Sequence, residues 1–263
     1  MIRRRPLASA LVLAAALLAC IAPTVRADAV ATIARVKSSI VAIGTYERTR
    51  TPQFQFFGTG FAVGDGSIIV TNAHVLPPIL DPSKIESVAV LTAGPVKEGR
   101  AQAQMREARR VALDPGADLA LLKIDGPPLP ALRLRDSDTV REGQEVLMTG
   151  FPVGAVLGPF AATHRGMIAA ITPIAIPQPR AADLDAGTLR RLSSGTFPVF
   201  QLDATAYPGN SGSPIYDPET GEVIGIVNMV LVQGTKEAVL KDPTGITYAI
   251  PARHLKALLE SAK

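Results

Sequence analysis

Short apolar runs, repeated along almost the whole sequence, restrict the fold more than any other feature. They include "SIVAIGTYE", "GTGFAV", "SIIVTNAHV", "SVAVLTA", "DLALLKI", "EVLMTGFP", "RGMIAAITPI", "FPVFQL", "EVIGIVNMVLV" and "GITYAI". Each is rich in Val, Ile, Phe or Thr, and Gly, Pro and Asp punctuate the gaps between them. Runs of this length and spacing predict an all-β sandwich or barrel, not alternating strands and helices. Helical periodicity is confined to the ends. "DAVATIARV" predicts a short helix, and "PARHLKALLESA" places Leu255, Leu258 and Leu259 on one face of a second. The Pro-Leu-rich segment "GPPLPALRLRDSDT" reads as a connector between two halves. The stretch from Pro177 to Gly195 reads as an exposed loop with one helical turn.

The first 27 residues stand apart. Arg3, Arg4 and Arg5 precede an apolar stretch from Leu7 to Ala22, and Val25-Arg26-Ala27 forms a small-residue cleavage site. This is the layout of a secretory signal peptide. Its apolar part falls short of the ~20 residues that a membrane span needs. The expectation is an exported protein, periplasmic or secreted, with no membrane span. Cys20 allows a second reading: "LLAC" resembles a lipobox, which would leave a lipoprotein tethered through Cys20. The Val25-Arg26-Ala27 site favours ordinary cleavage. Cys20 is also the only cysteine, so the part after the leader has no disulfide to rely on.

Setting the leader aside changes the charge argument. The chain has 27 Lys and Arg against 23 Asp and Glu. The leader holds four arginines and no acid, so 23 basic residues face 23 acidic ones in the remainder. The cluster Arg100, Arg106, Arg109 and Arg110 reads as a solvated face of a polar, strand-like stretch. Nucleic acid is not an expected partner. No cofactor is indicated either, since the two histidines other than His74 are far apart and no cysteine lies beyond the leader, which makes no metal-ligand set.

One loop carries chemistry. "YPGNSGSP", Tyr207 to Pro214, is built from turn residues, and such a cluster between strand-like runs is ordinarily just a turn. A serine there becomes a nucleophile only with a positioned base. His74 closes "SIIVTNAH", Asp118 opens "DLALLKI", and Ser211 sits in "GNSGSP". The chain order His, Asp, Ser is that of the chymotrypsin-type double barrel. A Gly-x-Ser-x-Gly elbow is excluded because position 213 is Ser and the chain does not alternate strands with helices. Asp114, four residues before Asp118, is a second candidate acid, but its following Pro-Gly marks a turn. Ser213 is a second candidate nucleophile. His164 and His254 read as ordinary surface residues.

The motifs "GTGFAV", "TNAHV", "DLALLK", "DATAYPGNSGSP", "GEVIGI" and "GITYAIP" together resemble a bacterial trypsin-like serine protease of the HtrA/Deg type. They run in order from Gly58 to Pro251. The resemblance implies a chymotrypsin-like double antiparallel β-barrel with a short C-terminal helix. It implies a protease domain over residues 28–263, with barrel 1 near 36–127, barrel 2 near 139–250 and the helix near 252–262. His74 and Asp118 would come from the first barrel and Ser211 from the second. The family's Asp-Leu-Ala-Leu-Leu pattern selects Asp118 over Asp114. The Gly209 and Ser211 N–H groups would form the oxyanion hole, and Thr205, Asn228 and Met229 the substrate pocket.

Two departures from that family bear on regulation. Asn210 stands where digestive relatives carry an Asp that pairs with a new N-terminal ammonium, so that zymogen switch is not expected. Many HtrA-type proteases continue into PDZ domains, and this sequence ends at Lys263, so none is expected here. The implied activity is serine endopeptidase action on polypeptides, in protein quality control by family analogy. Two other readings stay open: a non-catalytic binding or chaperone-like module on the same fold, and a serine esterase. Substrate and oligomeric state are not legible.

Overall fold

The computed structural model describes residues 28–77, 86–97, 100–152, 160–173, 197–228 and 245–262. The leader with Cys20, the loop predicted from Pro177 to Gly195 and Met229 lie outside the described residues. Among the described residues, twelve strands form two closed barrels. Helix α1 (Ala29–Lys37) precedes β1 (Ile40–Glu47), β2 (Phe54–Val63), β3 (Ile68–Asn72), β4 (Glu86–Lys97), β5 (Arg100–Asp114) and β6 (Leu119–Ile124). The second set is β7 (Glu145–Gly150), β8 (Ala162–Pro173), β9 (Pro198–Asp203), β10 (Pro214–Tyr216), β11 (Val223–Val227) and β12 (Ile246–Pro251), followed by helix α2 (Ala252–Ser261). The strand orders are β1-β2-β3-β6-β5-β4 and β10-β11-β12-β9-β8-β7, and all named ladders are antiparallel. Closure removes the unpaired strand edges that would otherwise template association. The all-β double barrel with a C-terminal helix matches the sequence expectation.

Period-two side-chain alternation explains why so many runs are apolar on both faces. In β1, Val41 and Ile43 point into the first barrel's core, while Ile40 and Ala42 point into a second core shared with the other barrel. In β6, Ala120, Leu122 and Ile124 fill the first barrel and Leu119 and Leu121 face its neighbour. Across the shared core stand Leu147, Phe151, Tyr216, Val223, Ile226 and Ile250, with Leu255 and Leu258 of α2. The barrels therefore meet over a buried apolar seam.

The connector lies along both barrels. Leu132 N–H donates to the Ala62 carbonyl at 2.9 Å, and Arg135 N–H donates to the Val223 carbonyl at 2.9 Å. Arg135 also pairs with Asp217 at 2.8 Å. Asp28 caps α1 by accepting from Val30 N–H at 2.9 Å, and Arg35 reaches the Thr220 carbonyl at 2.7 Å. Arg109 and Arg110 are exposed, whereas half-buried Arg106 donates to the Pro127 carbonyl at 2.6 Å. Among the described residues, no helix is long and apolar enough to cross a membrane.

Two histidines correct the sequence reading, which put both on the surface. His164 on β8 and His254 on α2 are each half-buried, and each Nε2 is buried without a hydrogen-bond partner among the described residues. The His164 ring lies 6.1 Å from that of Tyr207, and the His254 ring lies 4.1 Å from that of Phe197. Helix position and strand register gave no sign of this, because the covering groups come from other elements. Desolvation holds both imidazoles below their ordinary value of 6.5, and the Arg253 charge adds to the effect at His254. A histidine kept neutral by the fold is protonated first in the unfolded chain. Stability is therefore fully present above about pH 6.5 and falls as the pH drops through that value toward the lower folded one. The urea midpoint is expected to fall between pH 7.5 and pH 5.5, and to fall less in the double variant His164→Gln/His254→Gln. Equal slopes in the two proteins would assign the loss to other groups.

Candidate active site

His74, Asp118 and Ser211 converge where the two barrels meet. β3 ends at Asn72, and one 3-10 turn, Ala73–Val75, carries His74. Asp118 closes the turn between β5 and β6 and leads straight into Leu119. Ser211 lies in the loop between β9 and β10. His74 Nδ1 is 2.6 Å from Asp118 Oδ2, and His74 Nε2 is 2.9 Å from Ser211 Oγ. The His74 main-chain N–H also donates to Asp118 Oδ1 at 2.9 Å. A ring whose Nδ1–H faces a carboxylate offers Nε2 as an acceptor, and the Ser211 hydroxyl proton is within its reach.

The competing residues separate cleanly. Asp114 Oδ1 accepts from Ala117 N–H at 3.0 Å, so this carboxylate caps its own Pro-Gly turn and does not reach His74. Ser213 is fully buried, its Oγ lacks a partner among the described residues, and it lies behind the loop against Gly150.

Main-chain geometry sets the loop that carries Ser211. Asn210 N–H donates to the Tyr207 carbonyl at 2.9 Å, with Pro208 and then Gly209 (φ +103°) between them. Pro followed by a residue with positive φ is the signature of a type II turn. Among the described residues, neither the Gly209 N–H nor the Ser211 N–H has an acceptor. Barrel 1 grips the loop from the other side. Thr59 N–H donates to the Ser211 carbonyl at 2.8 Å, and Thr59 Oγ1 donates to the Gly209 carbonyl at 2.7 Å. The same Oγ1 accepts from Phe151 N–H at 3.0 Å, tying β2, β7 and the loop together. Sequence reasoning quoted "GTGFAV" as a motif without giving Thr59 a task.

Asn228 was expected on a pocket wall. Its side-chain Nδ2 donates to Asp118 Oδ2 at 2.7 Å, and the residue is only 2% exposed. Asp118 Oδ2 thus faces donors from both barrels. Thr205 is half-buried, with buried Ala204 and Ala206 on either side. Met229 is outside the described residues. Asp118 itself has φ +54°, the only non-glycine with positive φ among the described residues. Among those residues, no three His, Cys, Asp or Glu converge as a metal-ligand set.

Comparison with known proteins agrees with this geometry. The trypsin-like peptidase domain family matches residues 58–226, more than half of the chain. A probable periplasmic serine endoprotease, DegP-like, of Marinomonas sp. (strain MWYL1) is 28% identical over 208 residues, covering 78% of this chain and 35% of that protein. Its namesake in Pseudomonas putida (strain W619) is 28% identical over 203 residues, covering 77% and 34%. The chain thus spans about a third of the length of these curated relatives. Among solved structures, a variant of the HtrA-type protease AlgW with tripeptide superposes with a TM-score of 0.58 at 25% identity, covering 89% of this chain and 63% of that one. The same protease with decapeptide gives a TM-score of 0.62 at 23% identity, covering 89% and 67%.

Proposed function

The chain belongs to the trypsin-like peptidase domain family, and from that premise we propose that it is an exported serine endopeptidase acting on polypeptides. The observation that carries this is the pair of contacts at His74, 2.6 Å to Asp118 and 2.9 Å to Ser211. Ser211 Oγ attacks the scissile carbonyl while His74 Nε2 takes its proton, giving a tetrahedral oxyanion and an imidazolium. Asp118 keeps the imidazole in the tautomer that accepts at Nε2 and stabilises the imidazolium. The N–H groups of Gly209 and Ser211 receive the oxyanion. Collapse passes the proton from Nε2 to the leaving amine and leaves an ester on Ser211 Oγ. Water, deprotonated by His74, then hydrolyses that ester and restores the serine.

The domain this assigns is residues 28–263, behind a leader of residues 1–27 removed at Ala27-Asp28, or lipidated at Cys20 in the alternative reading. Periplasmic location follows the naming of the curated relatives. A part in protein quality control follows the same analogy. Labelling by a fluorophosphonate probe tests the reading, with the modified peptide identified by mass spectrometry. Modification at Ser211, with turnover of casein exceeding that of simple esters, supports it. A folded chain that does not label sinks it, and ester turnover without peptide turnover makes the enzyme an esterase.

Specificity follows from the pocket we propose, with Thr205 at its base and the Asn228-Met229 segment along its wall. A pocket that takes Lys or Arg before the cut needs a carboxylate at its base, because an unpaired buried ammonium is costly. Thr205 has no charge, and Met229 is an apolar, adaptable residue. Cleavage is expected after small or medium apolar residues such as Val, Ala, Ile or Leu. A peptide library that returns Lys or Arg at that position refutes the pocket assignment.

A further inference from the structure

Asp118 has φ +54°, in the left-handed region that most residues with a Cβ avoid and that Asp enters more readily than most. The direction in which its carboxylate leaves the chain depends on that backbone conformation. A return to ordinary negative φ would swing the side chain away from the imidazole. Two donors hold the peptide that follows Asp118. Ala73 N–H and Asn72 Nδ2 each donate to the Asp118 carbonyl at 3.1 Å. Both come from the segment that carries His74, so one short stretch places the imidazole and clamps its partner acid.

Asn72 fits this task and little else. It is fully buried at the end of β3, opposite Leu119 in the ladder. Its Oδ1 is buried with no hydrogen-bond partner among the described residues. A buried acceptor left unpaired costs stability, and an apolar residue of similar size would avoid that cost. The amide is therefore retained for its donor end, and that donor reaches Asp118.

We infer that Asn72 is a positioning residue for the reaction proposed above: its amide locks the Asp118 carbonyl, holding the left-handed backbone that directs the carboxylate onto His74. The inference rests on the serine-hydrolase reading and goes beyond it in assigning a residue that does not touch substrate. Asn72→Leu removes the donor and the orphaned acceptor together. Asn72→Ala removes both ends of the amide and leaves a small cavity in place of an added apolar group.

The test measures kcat and KM on a peptide substrate, normalised to titrated active sites, and records the low-field proton resonance of the His74 ring N–H. Expected is a fall in kcat of up to about 100-fold, the scale of a misplacement of about 1 Å at the reacting groups, with KM within about twofold. The ring N–H resonance should shift or broaden. If Asn72→Leu fails to fold, Asn72→Ala and the resonance carry the same decision. A variant less stable than wild type, but with kcat per active site within about twofold and an unchanged resonance, overturns the inference alone. A wild-type chain that neither labels nor hydrolyses overturns the serine-hydrolase reading and this inference with it.

Discussion

Ser211→Ala is expected to lower turnover by up to about 10⁶-fold, with His74→Ala about as damaging and the double variant scarcely worse. The non-additivity is the informative part. Without Nε2 to take its proton Ser211 Oγ is a poor nucleophile, and without Oγ the imidazole has nothing to activate. Either loss leaves only the oxyanion donors and substrate binding. The fold should survive, since among the described residues Ser211 Oγ bonds only to His74 Nε2 and one such bond is worth about 1 kcal/mol. Turnover numbers come from progress curves on casein, and melting curves confirm that each variant is folded. Substantial hydrolysis by purified Ser211→Ala would remove the assignment. Additive losses would mean that the two residues do not act as a pair.

The part of this machinery that was visible in the sequence is the part encoded locally. His74 directly follows β3, Asp118 directly precedes β6, and Ser211 sits in the turn-rich loop between β9 and β10, so each is flanked by a recognisable local pattern. Their chain order already named the architecture. The choice between Asp114 and Asp118 was harder, because both flank the same Pro-Gly turn and either lies within reach of a partner. It is decided by where the carboxylates point, and Asp114 spends its own on Ala117 N–H. Asn228 illustrates the limit. Its bond to Asp118 spans 110 positions and depends on how β11 of one barrel meets the β5–β6 turn of the other. No pattern within "GIVNMV" encodes that meeting.

The same limit applies to structure without chemistry. β10, Pro214–Tyr216, is three residues long, too short for any alternation to register. β5 is a fifteen-residue strand read only as polar and strand-like, because exposed charged residues such as Arg109 and Arg110 interrupt its apolar pattern. Thr59 looks like one more strand residue until the barrels dock and its hydroxyl meets the Gly209 carbonyl. Contacts made by docking are legible only after docking.

Gly212→Ala is expected to destabilise the chain by about 2–5 kcal/mol, from two separate causes. Gly212 has φ +86°, where a residue with a Cβ pays about 1–2 kcal/mol. An added Cβ would also collide with the Thr59 carbonyl oxygen and lie 2.6 Å from Thr71 Oγ1. Those atoms cannot retreat, because Thr71 Oγ1 donates to that same carbonyl at 2.7 Å in a buried setting. Overpacking of this kind adds about 1–3 kcal/mol. Gly64 separates the causes, since it has φ +65° with open space where its Cβ would stand. Gly64→Ala should therefore show the backbone cost alone, about 1–2 kcal/mol. Urea unfolding of both variants measures the difference. Turnover gives a second reading, because Gly212 directly follows Ser211 and its displacement should carry the nucleophile off His74, while Gly64→Ala should leave turnover unchanged. If the two alanine variants prove equally stable, the close approach of Thr59 to Gly212 does not constrain the loop. The glycine would then be required only for its backbone angle.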